Sequence, residues 1–199
     1  MKYTMTSRMF GLALSRIISG SVRSPKIRGA ILVEYKRILN NAKDIGEHNT
    51  LLSSYSLAAY FIALNRCDGR TAEENYRDLE AGMRKSRLLK LMMGSADGYF
   101  DPKRTEKRMQ WAEETHKRLY ENDWVVDVLP GNEEYDLGYD YWECGVCKLC
   151  KDEGCPELAK YLCRLDFLLV EIMGIKLTRT TTLAEGGEKC DFRFHKPQN

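Results

Sequence analysis

The sequence predicts an α+β fold, with a helical N-terminal half packed on an antiparallel sheet of about four strands and two helices inserted between hairpins. Three observations predict it. Up to Asn122, apolar residues recur at i, i+3 and i+4. After Asn122 the chain turns rich in Val, Tyr and Trp, and Pro130-Gly131-Asn132 breaks the run as a hairpin would. At the C-terminal end, Ile175 to His195 reads as two strands about a Glu185-Gly186-Gly187 turn. The 199 residues suit one domain over 1–199, mostly helical to residue 121.

The elements follow in order. MKYTMTSRMFGLALSRIISG (1–20) reads as an amphipathic helix, because Arg16 interrupts an apolar stretch already too short for a secretion signal. AILVEYKRILNNA (30–42), HNTLLSSYSLAAYFIALNR (48–66), TAEENYRDLEAGMRKSRLLKLMM (71–93) and DPKRTEKRMQWAEETHKRLYEN (101–122) are helices by periodicity. Thr71 with Glu74 makes a capping box, and Asp101-Pro102 makes an N-cap and first turn. DWVVDVLPGNEEYDLGYDYWE (123–143) is the hairpin. Helices are then expected from Cys144 to about Glu153 and from Pro156 to Met173.

Composition excludes several classes. A net charge of +2 and a pI near 8.1, without a basic run, do not indicate nucleic acid as partner. Mean hydropathy is −0.47, and no apolar run reaches the ~18 residues of a membrane span, so no membrane partner is expected. Seven cysteines, an odd number in a chain with an ordinary core, point to the cytoplasm and reduced thiols. SSYSLAAYFIALN (53–65) is apolar enough to be core or the interface of a homo-oligomer.

The densest chemistry lies in WECGVCKLCKDEGCPELAKYLCRLDF (142–167). Cys144, Cys147, Cys150 and Cys155 come close to a ferredoxin spacing, but i, i+3, i+6 is helical spacing and the last gap is one residue too long. Zinc needs two separated pairs, and only one run exists. No metal or cofactor is therefore expected. On a helical wheel Leu158, Leu162, Leu165 and Leu169 cluster, widened by Cys163, Phe167 and Val170. Asp166 falls inside that apolar arc, so it must be hydrogen-bonded, paired or protonated, either as a structural carboxylate or as a functional one with a raised pKa. On the next strand Arg179 shares the core face with Ile175, Leu177, Thr181 and Leu183, while Thr178, Thr180 and Thr182 face solvent. A guanidinium on that side wants Asp166 or an anionic ligand. Cys190, Phe192 and Phe194 share one face of the last strand, and Asp191, Arg193 and His195 the other. His48, His116 and His195 receive no role.

The spaced residues Cys144, Gly154, Glu157, Leu158, Cys163 and Asp166, followed by RTTTLAEGGEKCDFRF, make the stretch from about 122 to 195 resemble the L-2-amino-thiazoline-4-carboxylic acid hydrolase family. Thr182 to Phe192, TLAEGG-x2-CDF, is its most specific piece. The layout is also faintly similar to the small-molecule-binding domain of 4-vinyl reductases. The resemblance separates Cys144, Cys163 and Cys190, which match, from Cys67, Cys147, Cys150 and Cys155, which do not. It implies hydrolytic ring opening of a cyclic amidine-like thioether to N-carbamoyl-L-cysteine. In that chemistry Asp166 protonates the ring nitrogen, with Glu185 the alternative acid or base. Cys144 or Cys190 could add to the carbon as thiolate. Arg179 would hold the substrate carboxylate, with Thr182, Cys163 and Gly186 lining the site. The glycine pair is also explained by a turn needing φ > 0. The alternatives are a non-catalytic ligand-binding domain, which needs no reactive thiol, and a metal-binding protein built on the cysteine run.

Overall fold

The computed structural model describes residues 4–18, 24–46, 49 and 51–197; His48 lies outside them. In chain order the helices are α1 (Met5–Ile17), α2 (Pro25–Asn41), α3 (Leu52–Cys67), α4 (Ala72–Lys85), α5 (Arg87–Met93), α6 (Ala96–Tyr99) and α7 (Pro102–Thr115). Then come β1 (Val125–Pro130), β2 (Leu137–Glu143), α8 (Gly145–Asp152), α9 (Ala159–Ile172), β3 (Lys176–Thr178) and β4 (Cys190–His195). Short 3₁₀ turns occupy Pro156–Leu158 and Leu183–Glu185. The helices with the sheet make the fold α+β, as the periodicities predict. The chain forms two compact units. The first is Met1–Ser86, Tyr120–Asn122 and Gly145–Leu162; the second is Arg87–Leu119, Asp123–Cys144 and Cys163–Asn199.

The first unit is a helical bundle. Its helices begin where the sequence supplies caps: Thr4 accepts from the Ser7 amide, and Ser24 precedes Pro25 in the first turn of α2. Both halves of the Thr71–Glu74 capping box form. α3 is buried on nearly every side from Tyr55 to Leu64, as a helix apolar all round must be. Most of the stretch 53–65 is thus core within the chain. Tyr35 packs edge-on to Tyr60 and donates its hydroxyl to the Ser7 carbonyl at 2.7 Å. The helix expected over 71–93 breaks at Ser86, whose ψ of 106° is extended, so α4 ends on Arg84 and Lys85, cations suited to a C-terminus.

The second unit holds the sheet. Its strand order is β1-β2-β4-β3, all neighbours antiparallel, with Tyr139 opposite Phe192 and Tyr141 opposite Cys190. One face carries Val126, Val128, Leu137, Tyr139, Leu177 and Phe194, and Ala96, Ala112 and Val170 pack on it from α6, α7 and α9. Period-2 alternation accounts for this division. α7 stops well short of the expected Asn122. Thr115 donates its hydroxyl to the Ala112 carbonyl at 2.6 Å and accepts the Val126 amide at 3.1 Å, which turns the last helical bond toward the sheet.

The strand read from Ile175 through Leu183 also proves shorter, ending at Thr178. Asp191 is the cause. Its carboxylate accepts the Thr180 and Thr181 amides at 2.9 and 2.7 Å and the Thr180 hydroxyl at 2.6 Å, so those amides serve a side chain and not a ladder. Alternation lapses there, and Thr182, assigned to the solvent face, is only 3 % exposed.

Candidate active site

Of the residues singled out in the sequence, Cys144, Cys163, Asp166, Arg179 and Cys190 come together within the second unit, where α9, the end of β2 and the 179–190 segment meet. α9 carries Asp166 in from the helix face that also presents Leu162, Leu165 and Val170. Arg179 leaves β3 on the core side, as alternation requires, and its side chain is 6 % exposed. Its Nη1 donates to Asp166 Oδ2 at 2.8 Å and its Nη2 to the Cys163 carbonyl at 3.0 Å. The rings of Phe167 and Phe192 each stand 4.9 Å from the guanidinium carbon, so aromatic faces complete its surroundings. Phe167, expected to bury itself on the apolar arc, is 42 % exposed because it covers Arg179.

Protein surrounds Asp166 deeply enough that burial pushes its carboxyl up to about 6, with the Arg179 charge and hydrogen bond opposing the rise. Yet 35 % of its side chain stays accessible. The carboxyl is thus crowded by protein and still reachable from solvent. That group can gain or lose a proton near neutrality and present the change to a small molecule.

The cysteines sort by unit as the motif sorts them. Cys144, Cys163 and Cys190 belong to the second unit; Cys67, Cys147, Cys150 and Cys155 belong to the first. Burial pushes the Cys163 thiol far above its ordinary range, and neighbouring Asp166, Cys144 and Cys190 raise it further. Burial likewise takes Cys190 up to about 11, although the Leu183 amide donates to its Sγ at 3.2 Å. Both remain protonated at neutral pH. Among the described residues no group of three or more His, Cys, Asp or Glu side chains is placed to hold a metal ion.

The TLAEGG segment is a locally closed turn. The Thr182 hydroxyl donates to the Glu185 carboxylate at 2.7 Å, and the Thr182 carbonyl accepts the Glu185 and Gly187 amides at 3.2 and 2.9 Å. Gly186 sits at φ +86°, which demands glycine, while Gly187 lies so close to Thr181 Oγ1 that a Cβ would collide with it. Glu185 itself is exposed. The segment therefore fixes the backbone that carries Arg179 and Cys190, and Glu185 stays on its outer side.

Sequence reasoning passed over the tyrosines. Tyr141 faces Cys190 across the sheet, and its phenol is driven well above the ordinary value by burial, reinforced by Tyr139, Tyr99, Asp166 and Cys144. Tyr139 and Tyr141 stack at 5.9 Å, and the Tyr99 and Tyr139 hydroxyls pair. Their place two apart on an alternating strand, opposite the motif's Phe192 and Cys190, was the available signal. His116 bonds Asp127 at 2.8 Å and His195 bonds Thr178 at 3.0 Å, both among exposed groups.

A family model described as L-2-amino-thiazoline-4-carboxylic acid hydrolase matches residues 57–194, well over half the chain. The match begins inside α3, so it takes in helical sequence that carries no quotable motif. No curated protein and no solved structure matches the chain.

Proposed function

The chain belongs to the L-2-amino-thiazoline-4-carboxylic acid hydrolase family, and on that premise we propose that it opens a small, carboxylate-bearing cyclic amidine by adding water, with Asp166 as proton carrier. The supporting observation is the Asp166–Arg179 pair, 2.8 Å apart, with one side of Asp166 accessible and burial pushing its carboxyl up to about 6. Arg179 holds the carboxyl in one orientation and keeps its proton exchangeable near neutrality; the accessible side of Asp166 is where the ring nitrogen docks.

For a 2-amino-thiazoline-4-carboxylate the steps balance as follows. Protonated Asp166 gives its proton to the ring nitrogen, which makes the amidine carbon electrophilic. Water adds to that carbon, and the Asp166 carboxylate takes the proton it sheds. The carbon–sulfur bond then breaks. The departing sulfur takes a proton from Asp166, and Asp166 recovers one from the hydroxyl that becomes the carbonyl. The product is N-carbamoyl-L-cysteine. Addition of water is favoured over attack by Cys190 because that thiol titrates near 11 and the thiolate is the nucleophile.

Mass-resolved assay of purified protein with L-2-amino-thiazoline-4-carboxylate tests this reading. N-carbamoylcysteine should form, with kcat/KM falling as pH rises above about 6, since the reaction starts from the protonated carboxyl. Asp166→Asn should lower kcat/KM by ~10²–10⁴, whereas Cys190→Ser should stay within a few-fold of wild type. Binding without turnover would turn the assignment to a ligand-binding domain. Full activity in Asp166→Asn would remove Asp166 from the chemistry.

A further inference from the structure

α4 buries Tyr76, Leu79 and Met83 along one stripe. Continued past Ser86 at helical spacing, that stripe would run through Arg87 and Lys90 and force two cations inward. The extended backbone at Ser86 breaks the helix there, and α5 starts afresh with both cations exposed. The outcome is a short helix, RLLKLMM, in which no residue is buried. Leu88, Leu91 and Met92 stand at i, i+3 and i+4, so they share one face, and they are 56, 81 and 63 % exposed. Leu89 and Met93, further round the helix, are half-buried. Gly94, at φ +79°, ends it.

Charge around α5 is one-sided. The chain as a whole nearly balances, with 31 Lys and Arg against 29 Asp and Glu. From Arg84 to Ala96, however, it carries Arg84, Lys85, Arg87 and Lys90 and no acid. The acids nearest in sequence are Glu80, which pairs with Arg84 at 3.3 Å, and Asp97. This imbalance decides what can cover the apolar face. A second copy docked face to face would bring like charges together. An apolar helix face flanked by cations is matched instead by a surface with anions at its rim and hydrocarbon beneath, which is what anionic lipid headgroups present. Arg and Lys lay their stems along apolar surface and keep the charge among the headgroups. A membrane span takes ~18 apolar residues, but a surface contact takes one helix face, so the lack of a spanning run does not exclude it.

We propose that α5 is a membrane-surface contact: Leu88, Leu91 and Met92 enter the headgroup layer of an anionic lipid bilayer, and Arg87 and Lys90 hold its phosphates. Three side chains and a few charges make a weak, reversible contact. The assignment stands apart from the hydrolase reading and does not depend on it.

Co-sedimentation of the full chain with vesicles tests it, comparing phosphatidylcholine alone with phosphatidylcholine containing about 30 % phosphatidylserine. The chain should partition onto the mixed vesicles at least ~10-fold better than onto the neutral ones, and leave them as salt approaches about 0.5 M. Leu91→Gln with Met92→Gln should weaken binding ~10-fold or more. The melting temperature should not move, because both side chains are mostly exposed. Arg87→Gln with Lys90→Gln should weaken binding by a similar factor on the mixed vesicles alone. Absence of wild-type binding, equal binding to both vesicles, or wild-type affinity in either double variant overturns the assignment. So does a wild-type dimer, seen by sedimentation velocity, that Leu91→Gln with Met92→Gln dissolves, since the face would then join two copies of the chain.

Discussion

Burial raises Asp166 from an ordinary 3.8 to about 6 although Arg179 stands 2.8 Å away, so the folded protein holds that proton more tightly than the unfolded chain does. The sign follows. Its stabilising contribution is complete below about pH 4, diminishes as pH rises toward 6, and is gone above. Asn cannot titrate, so the melting temperature of wild type minus that of Asp166→Asn should fall between pH 4 and 6, on the order of a few °C, and then level off. A flat difference across that range, measured by calorimetry, would show that Asp166 keeps an ordinary pKa. The same residue illustrates what a helical wheel conveys. The wheel places a carboxylate among leucines; it does not choose between a structural carboxylate and a titrating one. That choice depends on tertiary burial, which raises the carboxyl, set against Arg179, thirteen residues away, which lowers it.

Among the elements, the short β3 has the clearest functional consequence. Had the strand run to Leu183, as alternation from Ile175 suggests, Thr182 would face solvent. Asp191 intercepts the Thr180 and Thr181 amides instead, and this irregular segment carries Arg179 at one end and the Thr182–Glu185 turn at the other. Asp191→Ala should therefore loosen the segment, with a loss of about 1–2 kcal/mol in denaturant unfolding and faster amide exchange at Thr180 and Thr181. Unaltered exchange there would mean that the turn closes without Asp191. The carboxylate's pKa is set by burial, which raises it, against the Thr180 and Thr181 hydrogen bonds, which lower it further and prevail. The helices behave more simply. Caps at Thr71 and Asp101 start helices where the sequence marks them, whereas α2 begins at Pro25 behind Ser24, ahead of the expected Ala30. The ends of α4 and α7 are less legible because Ser86 and Thr115 stop them through backbone geometry and a hydroxyl bridge to β1.

Across the whole molecule the chain passes repeatedly between its two units, since each is made of three separate segments. The family match spans segments of both. α8, which packs on α3 within the first unit, comes from beyond the hairpin. A fragment ending at Asn122 would leave α3, apolar all round, without that cover, and would also lack every strand. It should melt without a cooperative transition when followed by circular dichroism; a sharp two-state melt would show that the first unit folds from its N-terminal segments alone. The described residues contain no helix long and apolar enough to cross a membrane. Local periodicity, caps and turn residues are properties of neighbours in sequence, so the sequence by itself determined the α+β class, the hairpin and the core-facing Arg179, while the resemblance to the family divided the motif cysteines from the rest. Meetings between distant residues depend on how elements pack, and only the tertiary structure decided them. It pairs Asp166 with Arg179, buries the carboxyl so that desolvation outweighs that cation, and keeps Cys163 and Cys190 protonated.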